Sequence, residues 1–288
     1  MIHVANEYVK SPMNYIGGKY KLLPHLTQHF PKNINTMVDL FCGGCDVAAN
    51  VEAKTIYAND INCYIIGMFK AFQQWPTEQL LGMIDETIAR YGLTKENRTG
   101  FNWLRTNYNT SEDKNPIDMF VLMCYSFNHQ IRFNSKHEYN SSFGQHHCYF
   151  SDMTRRNLIM FKDRIQNVQF SCENYKTFDD SILQRGDFMY ADPPYLITTA
   201  PYNDGNRGFE CWTEQDDRRL TDLLDALDSR GVLFALSNVL EHKGKTNSYL
   251  SAWADKYNVH PMDYGYEWRN YHGKNTDRKT LEVLVTNY

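Results

Sequence analysis

Short apolar runs and amphipathic stretches alternate at both ends of this 288-residue chain. Thr36–Phe41 reads as a short buried strand, Gly43-Gly44 as a turn, and Asp46–Glu52 as the start of a helix. Thr55–Asn59 is a second strand, running into Asp60. Between about residues 65 and 165 the pattern becomes mainly helical. Thr77–Tyr91 places Leu80, Leu81, Ile84 and Ile88 on one face, Pro116–Phe127 is strongly apolar, and Asp152–Ile165 is a further helix. Ile131–Asn140, with turn residues in its middle, reads as a hairpin. Alternation then returns: strands at Val168–Ser171, Asp187–Ala191, Val232–Ser237 and Leu281–Thr286, and helices at Glu214–Asp228 and Asn247–Lys256. There is no internal repeat and no low-complexity linker. This order predicts a doubly wound α/β domain from 1–65 and 166–288, with a smaller, mainly helical unit over 66–165 that carries the hairpin.

Composition narrows the classes. A hydrophobic fraction of 42% and a charged fraction of 22% exclude a disordered chain. The most apolar stretch, Phe120–Phe127, is far short of the ~20 residues a membrane helix needs. The seven cysteines (Cys42, Cys45, Cys63, Cys124, Cys148, Cys172, Cys211) are odd in number and lack disulfide-like spacing. The first residues lack the basic and apolar regions of a signal peptide, so a reduced cytoplasmic setting is expected. Cys42 and Cys45 form a C-x-x-C without a second ligand pair and read as packing. His146-His147-Cys148 cannot all point at one metal, and no metal is expected. The 34 acidic against 30 basic side chains leave a net charge of −4, which as an average argues against a nucleic-acid partner. Locally the balance reverses. Residues 130–165 carry six basic groups (Arg132, Lys136, Arg155, Arg156, Lys162, Arg164) against three acidic ones, and 269–279 carry four (Arg269, Lys274, Arg278, Lys279) against one.

Two motifs carry chemistry. In the first, Asp39-Leu-Phe-Cys-Gly-Gly-Cys-Asp46 follows a strand, and Asp60 ends the next strand 21 residues after Asp39. Glycines there let a ligand approach the backbone, and an acid at that distance can accept hydrogen bonds from a ribose. An adenosine-containing ligand and an ordinary tight turn with Asp60 as a helix cap both fit. In the second, Phe188–Ala191 runs into Asp192-Pro193-Pro194-Tyr195. Two prolines fix a rigid corner at a strand's C-terminal end, where open α/β sheets bind ligands. The corner presents a carboxylate, carbonyl oxygens and an aromatic face, a set suited to a planar base with an exocyclic amine.

At these residues the chain resembles the Dam-like DNA adenine N6-methyltransferases that use S-adenosylmethionine. Asn14-Tyr-Ile-Gly-Gly-Lys19 resembles the family's aromatic-Ala-Gly-Gly-Lys segment, and Asp39–Asp46 its Phe-x-Gly-x-Gly loop. Tyr125–Gly144 resembles its DNA-reading hairpin, Asp192–Tyr195 its Asp-Pro-Pro-Tyr, and the segment from Arg269 to Val285 its basic tail and last strand. The resemblance covers most of the chain in the family's order. It implies a Rossmann-like methyltransferase sheet with a DNA-recognition insertion, acting as a monomer on double-stranded DNA, with no membrane role. A cognate restriction endonuclease would be its functional partner, though the sequence is equally consistent with a solitary enzyme.

The resemblance also implies roles. Asp192 and the Pro193 carbonyl would hold the adenine amine, with Pro194 keeping the corner rigid and Tyr195 stacking on the flipped base. A structural cap is the alternative for Asp192. Asp60 would bind the ribose; Tyr15, Lys19 and the Phe41–Gly43 turn would surround the methionine portion of the cofactor, with Asp39 nearby, and Asp192 would contact the cofactor as well. Asn174-Tyr175 stands where the family has an acidic–aromatic pair contacting the cofactor's adenine. Lys19 outside this resemblance reads as a solvated lysine. Cys45 departs from the loop's second glycine. Arg132 matches an arginine that reads guanine, and Phe127 and Asn128 match an intercalating aromatic and its neighbour. Asn14, Gln130, Ser142 and Gln145 depart from the enzymes that methylate GATC, and Asn134 lies on the same hairpin. The expected site therefore contains an adenine near a guanine but is not simply GATC. Arg155, Arg156, Lys162 and Arg164 fit either phosphate tracking or a solvated helix face, and the acidic Glu214–Asp228 helix is expected to face away from DNA. Rival readings are transfer to cytosine N4, to RNA adenine, to a protein glutamine amide or to a small molecule, and a non-catalytic DNA-binding regulator.

Overall fold

The computed structural model describes residues 8–198, 212–262 and 280–288. Its centre is a sheet of eight strands: β1 (Ile34–Asp39), β2 (Ala53–Asn59), β3 (Val168–Ser171), β4 (Phe188–Ala191), β5 (Leu233–His242), β6 (Lys245–Thr246), β7 (Asn258–Pro261) and β8 (Thr280–Thr286). The spatial order is β3-β2-β1-β4-β5-β8-β7, and the two-residue β6 folds back on β5. Strands β1 to β5 run parallel, while β8 is antiparallel to both β5 and β7. From β1 the chain winds outward to β2 and β3, then returns to β4 on the other side of β1. The order therefore reverses between β1 and β4, which in an open α/β sheet leaves a crevice at their C-terminal ends.

Pleating divides the side chains between two faces. Val38, Met189, Phe234 and Val285 pack beneath α7 (Glu214–Ser229) and α8 (Ser248–Ala254) through Leu220, Leu224, Leu227 and Trp253. Their neighbours Met37, Phe188, Ala235 and Leu284 point the other way, onto Leu22, Leu23, Leu26 and Phe30 of the N-terminal segment that holds α1 (Leu23–Leu26). A third cluster joins Ala58 and Val168 of β2 and β3 to α2 (Cys63–Gln74), α3 (Thr77–Arg90), α4 (Arg98–Thr110), α5 (Pro116–Tyr125) and α6 (Asp152–Arg164). One apolar mass thus runs from the sheet into the helical insertion. Asn62 starts α2 by accepting from the backbone N–H groups of Tyr64 and Ile65. Asn62→Ala should therefore lower stability by about 1 kcal/mol in urea denaturation, the usual size of a lost N-cap.

Several expectations need correcting. No helix starts at Asp46–Glu52, which is a series of turns. The Asn50 side chain bonds the Asp46 carbonyl and both backbone groups of Val9, and Ala48 N–H donates to Asp39. The backbone bonds themselves are irregular, with Asn50 and Val51 both donating to the Val47 carbonyl, so single turns form and no continuous helix does. The 131–140 hairpin exists, but its ladder is reduced to a bridge between Phe133 and Tyr139. Strand β5 runs five residues past its expected end, to His242, and β7 is additional.

Cys63 and Cys172 lie 2.12 Å apart at sulfur and form a disulfide, against the expectation of unpaired cysteines. The register of β2 and β3 places Asn59 beside Ser171, so residues 109 apart in sequence meet just beyond the strand ends. Cys42, Cys45 and Cys148 are buried. Lys162 is buried too, which excludes it from a solvated or phosphate-tracking face, and Arg155 pairs with Asp85. The 269–279 basic stretch and Cys211 lie outside the described residues. Among the described residues, no helix is long and apolar enough to cross a membrane.

Candidate active site

The crevice at the switch between β1 and β4 opens into a cleft of about 410 Å³. Asp39 ends β1 opposite Tyr190 of β4, so the loops that start at Leu40 and Asp192 leave the sheet side by side. Every residue expected to act in catalysis or to bind the cofactor lines this cleft: Tyr15, Lys19, Asp39, Phe41, Gly43, Asp60, Asn174, Tyr175, Asp192, Pro193, Pro194 and Tyr195. The topology thus brings together positions up to 180 residues apart in sequence.

The glycine loop is held from both sides. Asp60 accepts from the Gly43 N–H at 2.9 Å and from the Asn62 N–H at 2.8 Å. Its carboxyl is raised, chiefly by burial. The cap of α2 is Asn62, so Asp60 serves the loop rather than the helix. Gly43 has φ +46°, and a Cβ there would lie 2.8 Å from the Tyr15 ring, so this turn has room only for glycine. Cys45 adopts φ 61° where the resembled family has its second glycine. Asp39 is almost fully buried. One carboxylate oxygen accepts from the Ala48 N–H, and the other, Oδ1, has no hydrogen-bond partner among the described residues. Burial first, and Asp192 next, push its carboxyl well above the usual range.

Lys19 is 6% exposed, which removes the solvated-lysine reading. Its Nζ lies 2.7 Å from Asp192 Oδ2, donates to the Gly17 carbonyl at 3.0 Å, and sits 5.2 Å from the centre of the Tyr195 ring. The Tyr195 hydroxyl is 2.8 Å from Asp192 Oδ1 and 3.1 Å from Glu282 Oε1. Both Asp192 oxygens are thereby fixed in direction, one by a cation and one by a phenol. A carboxylate so held can accept a further hydrogen bond without reorienting.

The other end of the cleft is aromatic. Phe41, Tyr175 and Trp212 pack with ring centres 5.2–5.7 Å apart. The Tyr175 hydroxyl donates to Asp216, whose partner is Lys176 at 3.0 Å. Asn174 Oδ1 accepts from the Lys176 N–H, as in a local turn. Trp212 and Asp216 were not expected here. Asp216 belongs to a capping box with Thr213, a T-x-x-D signal legible in the sequence. Asp217 is buried beside Trp212 Nε1, so two acids of α7 turn inward rather than into solvent.

Most of the expected DNA-reading residues lie on the hairpin and the turn before it, with Asn14 on the N-terminal segment and Gln145 just past the hairpin. Phe127 is 54% exposed, and the next two residues, Asn128 and His129, take positive φ of 54° and 53°. Asn14 Nδ2 donates to the Asn128 carbonyl, which ties the Gly-Gly-Lys segment to this tip, and Ile131 lines the cleft. Gln130 Oε1 accepts from Arg132 at 2.6 Å. Asn134 is occupied within the hairpin, where Oδ1 accepts from the N–H groups of Lys136 and Glu138. Ser142 is exposed, and Gln145 Oε1 accepts from Arg98.

Comparison with known proteins accounts for this arrangement. Residues 15–267 match the family model of the D12 class N6 adenine-specific DNA methyltransferase. The chain is 45% identical to the Type II methyltransferase M.FokI of Planomicrobium okeanokoites and 46% identical to the modification methylase StsI of Streptococcus sanguinis. Each match covers 99% of this chain and 44% of the relative, so the chain spans less than half the length of those two proteins. It is also 25% identical to the DNA adenine methylase of Escherichia coli over 78% of this chain and 79% of that enzyme. The chain belongs to the D12 class of N6 adenine-specific DNA methyltransferases.

Proposed function

We propose that this chain transfers a methyl group from S-adenosylmethionine to N6 of an adenine flipped out of duplex DNA, at a site other than plain GATC. The observation that carries the reading is the convergence of Asp39 and Asp192 at the ends of adjacent strands in one cleft. Asp39 has a buried, unpartnered oxygen suited to the cofactor's ammonium group, and Asp192 heads a rigid corner suited to the adenine amine. The aromatic cluster of Phe41, Tyr175 and Trp212 is suited to the cofactor's adenine, and Asp60 to its ribose. When bound, S-adenosylmethionine supplies an electrophilic methyl on a sulfonium.

The work of the chain is to aim the amine at it. The lone pair of the adenine amine is delocalised into the ring. Asp192 and the Pro193 carbonyl accept its two hydrogens, which draws the nitrogen toward tetrahedral geometry and frees the lone pair. Extracting the base from the stack costs a few kcal/mol, and the Tyr195 ring offers it a stacking face. We assign 66–165 to DNA recognition and 1–65 with 166–288 to catalysis. Arg132 reads a guanine edge and Phe127 enters the stack. The names of the two relatives near 45% identity support a modification role beside a cognate restriction endonuclease. A monomer acting in the cytoplasm completes the proposal.

Two measurements test this. Single-molecule sequencing of DNA from cells with and without the chain should show N6-methyladenine in one motif that contains guanine and differs from GATC. Methylation confined to GATC would sink the assignment of the site. The second concerns Asp39. An ammonium ligand pairs with the ionised carboxylate, and the raised pKa of Asp39 means that falling pH refills its proton site. S-adenosylmethionine affinity should therefore weaken as pH falls through that value and strengthen as pH rises. Calorimetric Kd values for Asp39→Asn should be weaker and largely lose this slope.

A further inference from the structure

Glu282 interrupts the apolar run Leu281–Val285 of β8 and reaches the hydroxyl of Tyr195, a residue that lines the cleft. Its Oε1 lies 3.1 Å from the Tyr195 hydroxyl, which is also 2.8 Å from Asp192 Oδ1. The pairing of β5 with β8 slips by one residue beside Glu282, between Val239 and Glu241. Such a bulge re-aims the side chains next to it. The Tyr195 hydroxyl therefore sits between two carboxyl groups and has one hydrogen to offer them.

We propose that Glu282 is a positioning residue: as a protonated acid it donates to the Tyr195 oxygen, which commits the tyrosine's own hydrogen to Asp192 and fixes the ring that faces the target base. This rests on the reading of Tyr195 as the stacking face for adenine. Burial raises the Glu282 carboxyl and outweighs Lys19, which lowers it; Asp192 raises it by less than Lys19 lowers it, and the bond to Tyr195 lowers it a little more. Tyr190 is the other titratable group on β4 that faces it, while the strand residues beside it, Val239 and Met262, bring no charge. Asp192 has Lys19 at 2.7 Å as its counter-ion, whereas Glu282 has no ion pair at salt-bridge distance among the described residues.

Two substitutions and two readouts test this. Glu282→Gln keeps a donor of the same shape, so it should retain turnover within about threefold, whereas Glu282→Ala should lower kcat by about 10–100-fold at nearly unchanged KM for DNA, the usual effect of a slightly misplaced reacting group. Wild-type kcat should also fall as pH rises past the raised pKa of Glu282, and Glu282→Gln should lack that limb. Independently of activity, the infrared difference spectrum of wild type minus Glu282→Gln near neutral pH should show a protonated carboxylic acid band. An ionised carboxylate band in its place, or equal loss of kcat in both variants of an active enzyme, would overturn the proposal. If the wild type transfers no methyl, the proposed function fails, and the infrared band still decides the state of Glu282.

Discussion

Asp192→Ala should lower the single-turnover rate of methyl transfer by about 10³-fold, the scale on which a preorganised partner at the reacting atom acts. The same change leaves Lys19 buried without its anion, and breaking a buried pair destabilises by about 3–5 kcal/mol. Rate loss and stability loss would then coincide, so the variant is paired with Lys19→Met/Asp192→Ala. Removing both charges should recover most of the stability, because the remaining cost was the unpaired ammonium, and should recover none of the rate. Chemical denaturation and rapid-quench kinetics on the three proteins separate the two effects. A double variant that regained activity together with stability would show that Asp192 only holds the fold.

Phe69→Ala should destabilise the protein by about 3–5 kcal/mol, the range for a fully buried aromatic cut back to alanine. Phe69 is 0% exposed on α2, with its ring 5.2 Å from Phe170 of β3 and 5.6 Å from Phe161 of α6. It therefore lies where the sheet and the helical insertion share one apolar mass. The loss should appear in one denaturation transition, followed alike by circular dichroism and tryptophan fluorescence. A loss below about 1 kcal/mol, against that same range, would mean that the two regions are not packed as one body at this point.

The parts of the fold that were legible in the sequence are those with a strong local signal. Val168–Ser171 was readable to the residue, and Thr77–Arg90 nearly so, because a period of 2 or 3.6 is plain there. Helix α2 was not separable as an element, because six of its residues are buried and its apolar face is too wide for a clean period. Helix α4, by contrast, does carry a local signal: its buried residues Phe101, Leu104 and Tyr108 are spaced three and four apart among mostly polar neighbours. At the site, the glycine loop and the Asp-Pro-Pro-Tyr corner announce themselves through residues that restrict the backbone. Contacts between distant segments do not: Cys63 with Cys172, Glu282 with Tyr195, and Lys19 with Asp192 are each more than 80 residues apart. A lone glutamate in the apolar run Leu281–Val285 was the one trace of the second of these.

The central claim is that Asp192 and Tyr195 hold an adenine amine for methyl transfer in duplex DNA. Its most direct measurement is to incubate the chain with methyl-labelled S-adenosylmethionine and a duplex library, digest the DNA to nucleosides, and identify the labelled nucleoside by mass spectrometry. The prediction is label in N6-methyl-2′-deoxyadenosine alone, dependent on Asp192, with no label entering single-stranded RNA. Label in N4-methyl-2′-deoxycytidine, or no label in DNA that the chain demonstrably binds, would contradict it.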